Sequence, residues 1–372
     1  MAVKVRYMEE EVHLTKIQEN TKDKSFDLCG RCYKYDEELK ISVKYKLEVD
    51  CEYDYTNFEV HILNNSKCTE NSIFQVYDRE YDQRLGWIFP IQALVSSEHD
   101  YSEDKYFLKY AFVAFRILLN GVYKKSKIPK YEEELYDLTD FYDSNLIVFV
   151  IDKENTAKIE DYNYDNYIPG LYKYGYCING ENELEYFREI NKKIKLDKIS
   201  PSLRSESYIK DLFSQFLGSE RSDLLKFYLI YQVIELLLQK IFNQEFEEMI
   251  GDISRDKKLS FNVKDDLQNI AKEKYRIGEL FTKYSNCKET QLDLKDECNK
   301  LLVKHFIKEG TSVDKSLYSV RNLFVHSYRE VGKDDDNIIS NIVKYFEMCI
   351  IELITTGLYE TNSNASNEKV LI

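Results

Sequence analysis

Residues 316–328 read SLYSVRNLFVHSY, and this stretch gives the strongest structural signal in the 372-residue chain. Leu317, Val320 and Phe324 follow one another at intervals of three and four residues, which is the spacing of one apolar stripe on an α-helix. The pattern predicts a helix over residues 313–328 that buries this stripe against other elements.

Three polar side chains fall outside the stripe: Arg321, Asn322 and His326. Asn322 and His326 are four residues apart, so they are neighbours on one face of the helix. Arg321 lies about 140° from His326 on an ideal helix, but its long stem can carry the guanidinium towards the same patch. The helix therefore presents an imidazole, an amide and a permanent cation together.

This trio of side chains suits cleavage of RNA without a metal ion. The ribose 2′-OH must lose a proton as it attacks its own phosphate, and an imidazole can accept or donate that proton. A guanidinium stabilises the negative charge of the phosphorane, and an amide can orient the imidazole or hold a phosphate oxygen. The structural alternative places Arg321 in a surface ion pair and His326 in a hydrogen bond of its helix.

From Ser205 onward, apolar residues recur at helical spacing, which predicts that this whole region is helical. The expected ranges of the helices are 206–217, 221–242, 245–253, 261–271, 275–284, 292–308, 313–328 and 337–358. We therefore expect an all-α bundle over residues 201–360, followed by a flexible tail over residues 361–372.

The first 200 residues show a different pattern. Residues 41–53 alternate between apolar and polar side chains, and Phe58, Val60 and Ile62 alternate again after a polar turn, which predicts an antiparallel hairpin. The other expected elements are a helix over 103–123, a buried strand over 146–151, a largely loop stretch over 153–180 and a charged helix over 183–195. The sequence thus predicts an α+β protein, with a mixed α/β domain over residues 1–200 before the helical bundle.

Composition and charge exclude several classes of function. The net charge of −14 argues against a basic platform for duplex nucleic acid. Residues 224–242 form the most apolar run, but they include charged residues and are a poor membrane span. The start of the chain lacks the apolar core of a signal peptide, and the eight scattered cysteines indicate a reducing, cytoplasmic protein. The glycines form no phosphate-binding loop, so we expect no nucleotide cofactor.

Two other groups of residues are candidates for metal binding. Cys29 and Cys32 form a single CxxC pair, and no second pair follows at a spacing typical of zinc sites, so we expect two buried thiols. Asp50, Glu59 and His61 occupy polar positions of the predicted hairpin, where a solvated sheet face requires charged residues in any case. We predict no metal site, and we interpret the acidic run at residues 334–336 as a helix N-terminal cap.

The segment with Arg321, Asn322 and His326 resembles the Arg-x4–6-His motif of HEPN domains. In that family the motif lies in a late helix of an α-bundle, and a polar residue, often Asn, follows the Arg. The aromatic-rich segment 227–235 is similar to the early helix of such bundles, and the resemblance covers residues 205–359. HEPN domains occur in prokaryotic toxins, anti-phage abortive-infection proteins and CRISPR ribonucleases.

The resemblance implies an endoribonuclease that acts as a homodimer on an RNA substrate. Two motif helices would face each other, and the shared cleft would hold two Arg and two His. A free nuclease would be dangerous to its host, so we also expect restraint by an antitoxin, a partner ATPase or a phage-derived trigger that acts on the N-terminal domain. The alternative is a non-catalytic HEPN-like protein that binds nucleotides or RNA, or serves as a dimeric scaffold.

Overall fold

The computed structural model divides the chain into two compact units. The first unit comprises residues 1–164 and 174–197, and the second comprises residues 165–173 and 198–372. The structure describes residues 3–47, 54–65, 68–121, 125–132, 135–180, 192–254, 263, 267–268, 270–285 and 288–356. All the described strands belong to the first unit, and the second unit is helical, so the protein is α+β with a C-terminal helical region.

The described strands of the first unit form three sheets. The strands are β1 Lys4–Tyr7, β2 Glu10–His13, β3 Lys16–Asn20, β4 Ser25–Cys32, β5 Glu37–Lys44, β6 Phe58–Leu63, β7 Phe74–Asp78, β8 Arg84–Pro90, β9 Leu135–Tyr136, β10 Ile147–Asp152 and β11 Lys193–Leu196. Strands β1 and β2 pair with each other, a four-stranded sheet has the order β3-β4-β5-β9, and a five-stranded sheet has the order β11-β7-β8-β10-β6.

The core of the first unit packs a long helix against strands of both larger sheets. The helices of the first unit are α1 Gln92–Val95, the long helix α2 Lys105–Asn120, α3 Leu138–Phe141 and α4 Lys153–Thr156. The Asp104 side chain caps α2 by accepting hydrogen bonds from the backbone N–H groups of Tyr106 and Phe107, at 2.8 and 2.9 Å. Every residue of β10 is buried between β6 and β8, which confirms the buried strand predicted over residues 146–151.

The predicted hairpin over residues 41–62 is wrong. Strand β5 ends at Lys44 and pairs with β4, whereas β6 pairs with β10 in the other sheet. Alternation of apolar and polar residues assigns each side chain to a face, but it does not select the neighbouring strand. Residues 48–53 lie outside the described part of the chain.

Two further predictions for the first 200 residues need correction. The stretch predicted as largely loop contains α4 and a further helix, α5, over Ile168–Lys173. The predicted charged helix over residues 183–195 falls mostly outside the described residues, and its last residues belong to strand β11.

The second unit is a bundle of helices. After α5 it comprises α6 Ser207–Asp211, one π-helical turn Leu212–Phe216, α7 Leu217–Ser219, α8 Asp223–Ser254, α9 Glu273–Thr282, α10 Lys288–Lys304, α11 Val313–His326 and α12 Asp336–Thr355. Helix α12 packs on α8 and α10, while α11 packs on α9 and α10. Among the described residues, no helix is long and apolar enough to span a membrane.

The bounds of most predicted helices are close to those observed, with one clear difference. The two helices expected over residues 221–242 and 245–253 are a single continuous helix, α8. The helix predicted over residues 261–271 lies mostly outside the described residues, and the predicted tail over residues 361–372 lies wholly outside them.

Segment 165–173 comes from the middle of the first 200 residues but belongs to the helical unit. The Tyr172 hydroxyl donates a hydrogen bond to the Glu347 carboxylate of α12 at 3.2 Å, and the Tyr172 ring packs on Phe213 with centroids 5.3 Å apart. The backbone N–H of Ile199 donates to the carbonyl of Asn166 at 2.9 Å. A cut at residue 200 therefore separates this segment from the unit in which it packs.

Candidate active site

The motif helix is α11, and its local sequence explains where it begins and ends. Ser312 has extended backbone angles before the first turn, and the N–H of Ser327 donates to the carbonyl of Leu323 at the last turn. Leu317, Val320 and Phe324 are at most 1% exposed, which confirms the predicted apolar stripe.

The start of the motif helix is fixed by a side chain of α10. The Asn299 amide donates to the carbonyl of Gly310 at 3.1 Å and accepts from the Gly310 N–H at 2.9 Å. The Ser316 hydroxyl also donates to Asn299, at 2.8 Å. A Cβ at position 310 would collide with the backbone of Ser316, so only glycine permits this close approach.

The end of the motif helix is held by aromatic rings. The Phe324 ring meets the Phe227 ring of α8 edge-to-face, with centroids 4.9 Å apart. Phe227 in turn packs on Phe346 of α12 at 5.3 Å. Such ring pairs contribute about 0.5–1.5 kcal/mol each beyond the area they bury, so they fix the part of α11 that carries the polar trio.

Arg321 is half-buried and lies over an aromatic ring. Its guanidinium carbon lies 5.8 Å from the centroid of the Tyr231 ring, and its Nη1 donates a hydrogen bond to the Asn322 side chain at 3.3 Å. Arg321 forms no ion pair with any residue that the structure describes. Most of its donors therefore stay available for an anion.

His326 is the last residue of the motif helix and is exposed. Its imidazole forms no hydrogen bond or ion pair with the described residues. The structure thus joins Arg321 to Asn322, while His326 follows Asn322 by one helical turn and contacts neither side chain through a hydrogen bond.

Sequence reasoning did not identify the partners of Arg321. Tyr231 is 2% exposed, and its hydroxyl donates to the Glu273 carboxylate at the start of α9, at 3.4 Å. Burial raises the pKa of Tyr231, and the charge of Glu273 raises it further, so the phenol stays protonated. Tyr231 lies within the aromatic segment of α8 that the sequence singled out, but nothing in the sequence indicates which residues meet it.

A second cluster of charged residues lies at the turn after the motif helix. The buried Asp335 carboxylate lies 2.6 Å from Lys304 Nζ and 3.1 Å from His305 Nε2, and it accepts the Gly332 N–H at 2.9 Å. The acidic run had been predicted as a helix cap, but the Asp335 side chain caps no N–H of α12. It connects the end of α10 to the start of α12 instead.

This cluster gives a prediction for stability against pH. Burial alone would raise the pKa of Asp335, but hydrogen bonds from Lys304, Gly332 and His305 outweigh it and lower the pKa. Because the folded-state pKa is the lower one, the cluster stabilises the fold above the unfolded-state pKa, and this contribution is lost as the pH falls through the folded-state pKa. Asp335→Asn should therefore lower the free energy of unfolding at neutral pH by about 1–3 kcal/mol.

Urea denaturation of the wild type and of Asp335→Asn, repeated from neutral to acidic pH, measures this contribution. The free energies of the two proteins should converge as the pH falls. Asp334→Asn is the matched control, because Asp334 is exposed. A constant difference between the wild type and Asp335→Asn across the pH range would contradict the assignment.

The CxxC pair does not form a metal site in the structure. Cys29 and Cys32 lie three residues apart on strand β4, so their side chains point to opposite faces of the sheet. Cys32 is buried, as predicted, and Cys29 is half-buried. Burial raises the pKa of the Cys68 thiol to about 11, which keeps it protonated.

The polar candidates on β6 form a local cluster. His61 Nε2 lies 3.0 Å from the Glu59 carboxylate, and the His61 ring stacks on Tyr164 with centroids 3.6 Å apart. Asp50 lies outside the described residues. Within the described part of the chain, no group of three His, Cys, Asp or Glu residues could hold a metal ion.

Comparison of the chain with protein-family models, curated proteins and solved structures finds no match. The HEPN resemblance therefore stays a prediction that rests on the motif residues and their placement.

Proposed function

We propose that this protein is an endoribonuclease effector whose helical unit carries the active site, with Arg321, Asn322 and His326 as its catalytic residues. The observation that carries the proposal is that the charged and titratable groups of Arg321 and His326 are not used in ion pairs with residues that the structure describes. Arg321 has no ion pair, and His326 no hydrogen bond or ion pair, among the described residues. Donors and acceptors that no other residue occupies are available to a phosphate and to a proton transfer, and this availability supports the proposal.

The proposed reaction begins with the ribose 2′-OH. His326 accepts its proton as the oxygen attacks the adjacent phosphorus atom, and Arg321 stabilises the charge that develops on the phosphorane oxygens. The bond to the 5′-oxygen of the next nucleotide then breaks, and this oxygen takes a proton from a protonated His326 of a second copy of the chain. The products carry a 2′,3′-cyclic phosphate and a 5′-OH, and none of these steps requires a metal ion.

The same chemistry supports a homodimer. The reaction needs a base and an acid, but the motif supplies one imidazole per chain. Arg321 also lies about 140° around the helix from His326. One copy of the chain can therefore present His326 to the phosphate while a second copy presents Arg321. Two motif helices that face each other would concentrate two cations at the phosphate, which matters in a chain with a net charge of −14.

We place this nuclease in the bacterial cytoplasm, as an anti-phage defence effector or a toxin. A free ribonuclease would damage its own host, so restraint is expected. The first unit is the candidate sensor or regulator, and its partner would be an antitoxin, an ATPase or a phage-derived trigger.

The chemistry of the RNA ends tests the reaction. Purified protein, with any partner or trigger present, should cleave bacterial RNA in the presence of a chelator such as EDTA. The fragments should carry a 2′,3′-cyclic phosphate and a 5′-OH. The 5′-OH is measured by whether polynucleotide kinase labels the fragments without prior phosphatase treatment. Fragments with a 3′-OH and a 5′-phosphate would contradict the mechanism.

The alternative function is a non-catalytic protein that binds nucleotides or RNA, or that dimerises as a scaffold. The net charge of −14 favours the scaffold form of this alternative, because it weakens the general attraction of a polyanion such as RNA to the surface. It predicts no RNA turnover under any condition, so the same assay separates the two functions.

A further inference from the structure

Tyr231 lies between the candidate catalytic arginine and an acidic residue. Its ring faces the Arg321 guanidinium at 5.8 Å, and its hydroxyl donates to Glu273 at 3.4 Å. The three residues come from helices α8, α11 and α9 respectively, so this arrangement is a property of the bundle and not of the motif alone.

Tyr231, and not Glu273, is the group next to the Arg321 guanidinium, and this determines which donors of the guanidinium remain available to a ligand. Glu273 engages the tyrosine hydroxyl, and no ion pair joins it to Arg321. A carboxylate paired directly with Arg321 would occupy the in-plane N–H donors that bind a phosphate. The cation–π contact with Tyr231 occupies none of these N–H donors, so the donors that do not bind Asn322 stay available.

Tyr231 is itself rigidly held. It is almost fully buried, and its ring packs against Phe227 with centroids 6.0 Å apart. The hydrogen bond to a carboxylate polarises the phenol and increases the electron density of the ring, which strengthens its attraction for a cation. A flexible arginine side chain is thereby restricted to one region, before any RNA binds.

We propose that Tyr231, held by Glu273, is a positioning residue that orients Arg321 for the scissile phosphate. The inference rests on the proposed ribonuclease function. It goes beyond the motif, because it adds two residues that act through Arg321 and do not touch the substrate.

The test compares variants of the full-length chain in RNA cleavage. Tyr231→Leu removes the ring face, and we expect kcat/KM to fall by about 10- to 100-fold, mainly through kcat, because the guanidinium loses its orientation. Tyr231→Phe keeps the ring and should retain most of the activity. Glu273→Gln should show a smaller loss than Tyr231→Leu, and it provides a second variant at a partly exposed position that changes no core packing.

A matched control removes a different tyrosine hydroxyl of the same unit. Tyr208 donates to the carbonyl of Leu229 on α8 at 2.8 Å and does not contact Arg321. Tyr208→Phe should leave kcat/KM unchanged. Thermal unfolding of each variant separates a loss of orientation from a loss of folded protein.

A second measurement does not depend on RNA cleavage. Phenylglyoxal modifies accessible guanidinium groups, and mass spectrometry gives the rate at Arg321. The rate should rise several-fold in Tyr231→Leu and stay unchanged in Tyr208→Phe. If a folded Tyr231→Leu protein matches the wild type in both cleavage and Arg321 reactivity, the positioning role is wrong. If the wild type itself cleaves no RNA, the proposed ribonuclease function fails, and the positioning role falls with it.

Discussion

Bacteria that express the wild-type chain with its trigger should stop growing and lose intact RNA, whereas bacteria that express His326→Ala should do neither. A general acid or base contributes about 10²- to 10⁴-fold to a reaction rate. Removal of a group that stabilises transition-state charge costs about 10²- to 10³-fold, so Arg321→Ala should abolish the effect as well. Growth curves and total RNA integrity measure both outcomes in the same cultures.

The controls for this experiment are substitutions of the same residue types elsewhere. His13 is exposed on strand β2 and Arg31 is exposed on strand β4, so His13→Ala and Arg31→Ala test whether loss of any surface imidazole or guanidinium matters. Both should behave like the wild type. If all the proteins leave RNA intact, with the candidate partners and triggers supplied, catalysis by this motif is refuted and the scaffold function is favoured.

Parts of the fold could be predicted because a short pattern determines them. The buried strand β10 is a continuous apolar run, and α2 shows apolar residues at helical spacing, so each is visible in a local window. The pairing of β6 with β10 was not predictable in this way. These strands are about 90 residues apart, and the residues of β6 alone carry no information about their partner.

In the candidate site, too, features set by neighbouring residues could be predicted, whereas contacts between residues far apart in sequence could not. The apolar stripe of α11 fixes which side chains of the motif stay out of the core, and this was predicted from spacing alone. The contact of Arg321 with Tyr231 joins two helices that are far apart in sequence, so only the packed bundle shows it. The same holds for His305, whose partner Asp335 lies 30 residues further along the chain.

Removal of segment 165–173 should unfold the helical unit. A fragment of residues 198–372 lacks α5, whose Ile168, Leu171 and Tyr172 side chains are at most 5% exposed in the full-length chain. Burial of a large apolar side chain stabilises a fold by about 1.5–3 kcal/mol, so the three together contribute roughly 5–9 kcal/mol. A whole domain is stable by only about 5–15 kcal/mol, and this loss is therefore comparable to its entire stability.

The loss of Tyr172 also removes a hydrogen bond, which lowers the free energy of unfolding further. Glu347 is 1% exposed, and in the fragment it no longer receives the hydrogen bond from the Tyr172 hydroxyl. A buried carboxylate that loses a donor costs about 1–3 kcal/mol or more. Thermal unfolding followed by circular dichroism should show a broad, low transition for residues 198–372 and a sharp one for residues 165–372.

The fragment of residues 165–372 is the decisive control, because it restores α5, together with residues 174–197 of the first unit, which include β11. Equal and cooperative melting of both fragments would show that α5 is dispensable for the helical unit. The expected result instead makes the helical unit dependent on a segment encoded within the first 200 residues. A ribonuclease assay on residues 198–372 alone would then report an unfolded protein, so the proposed activity has to be measured on the full-length chain.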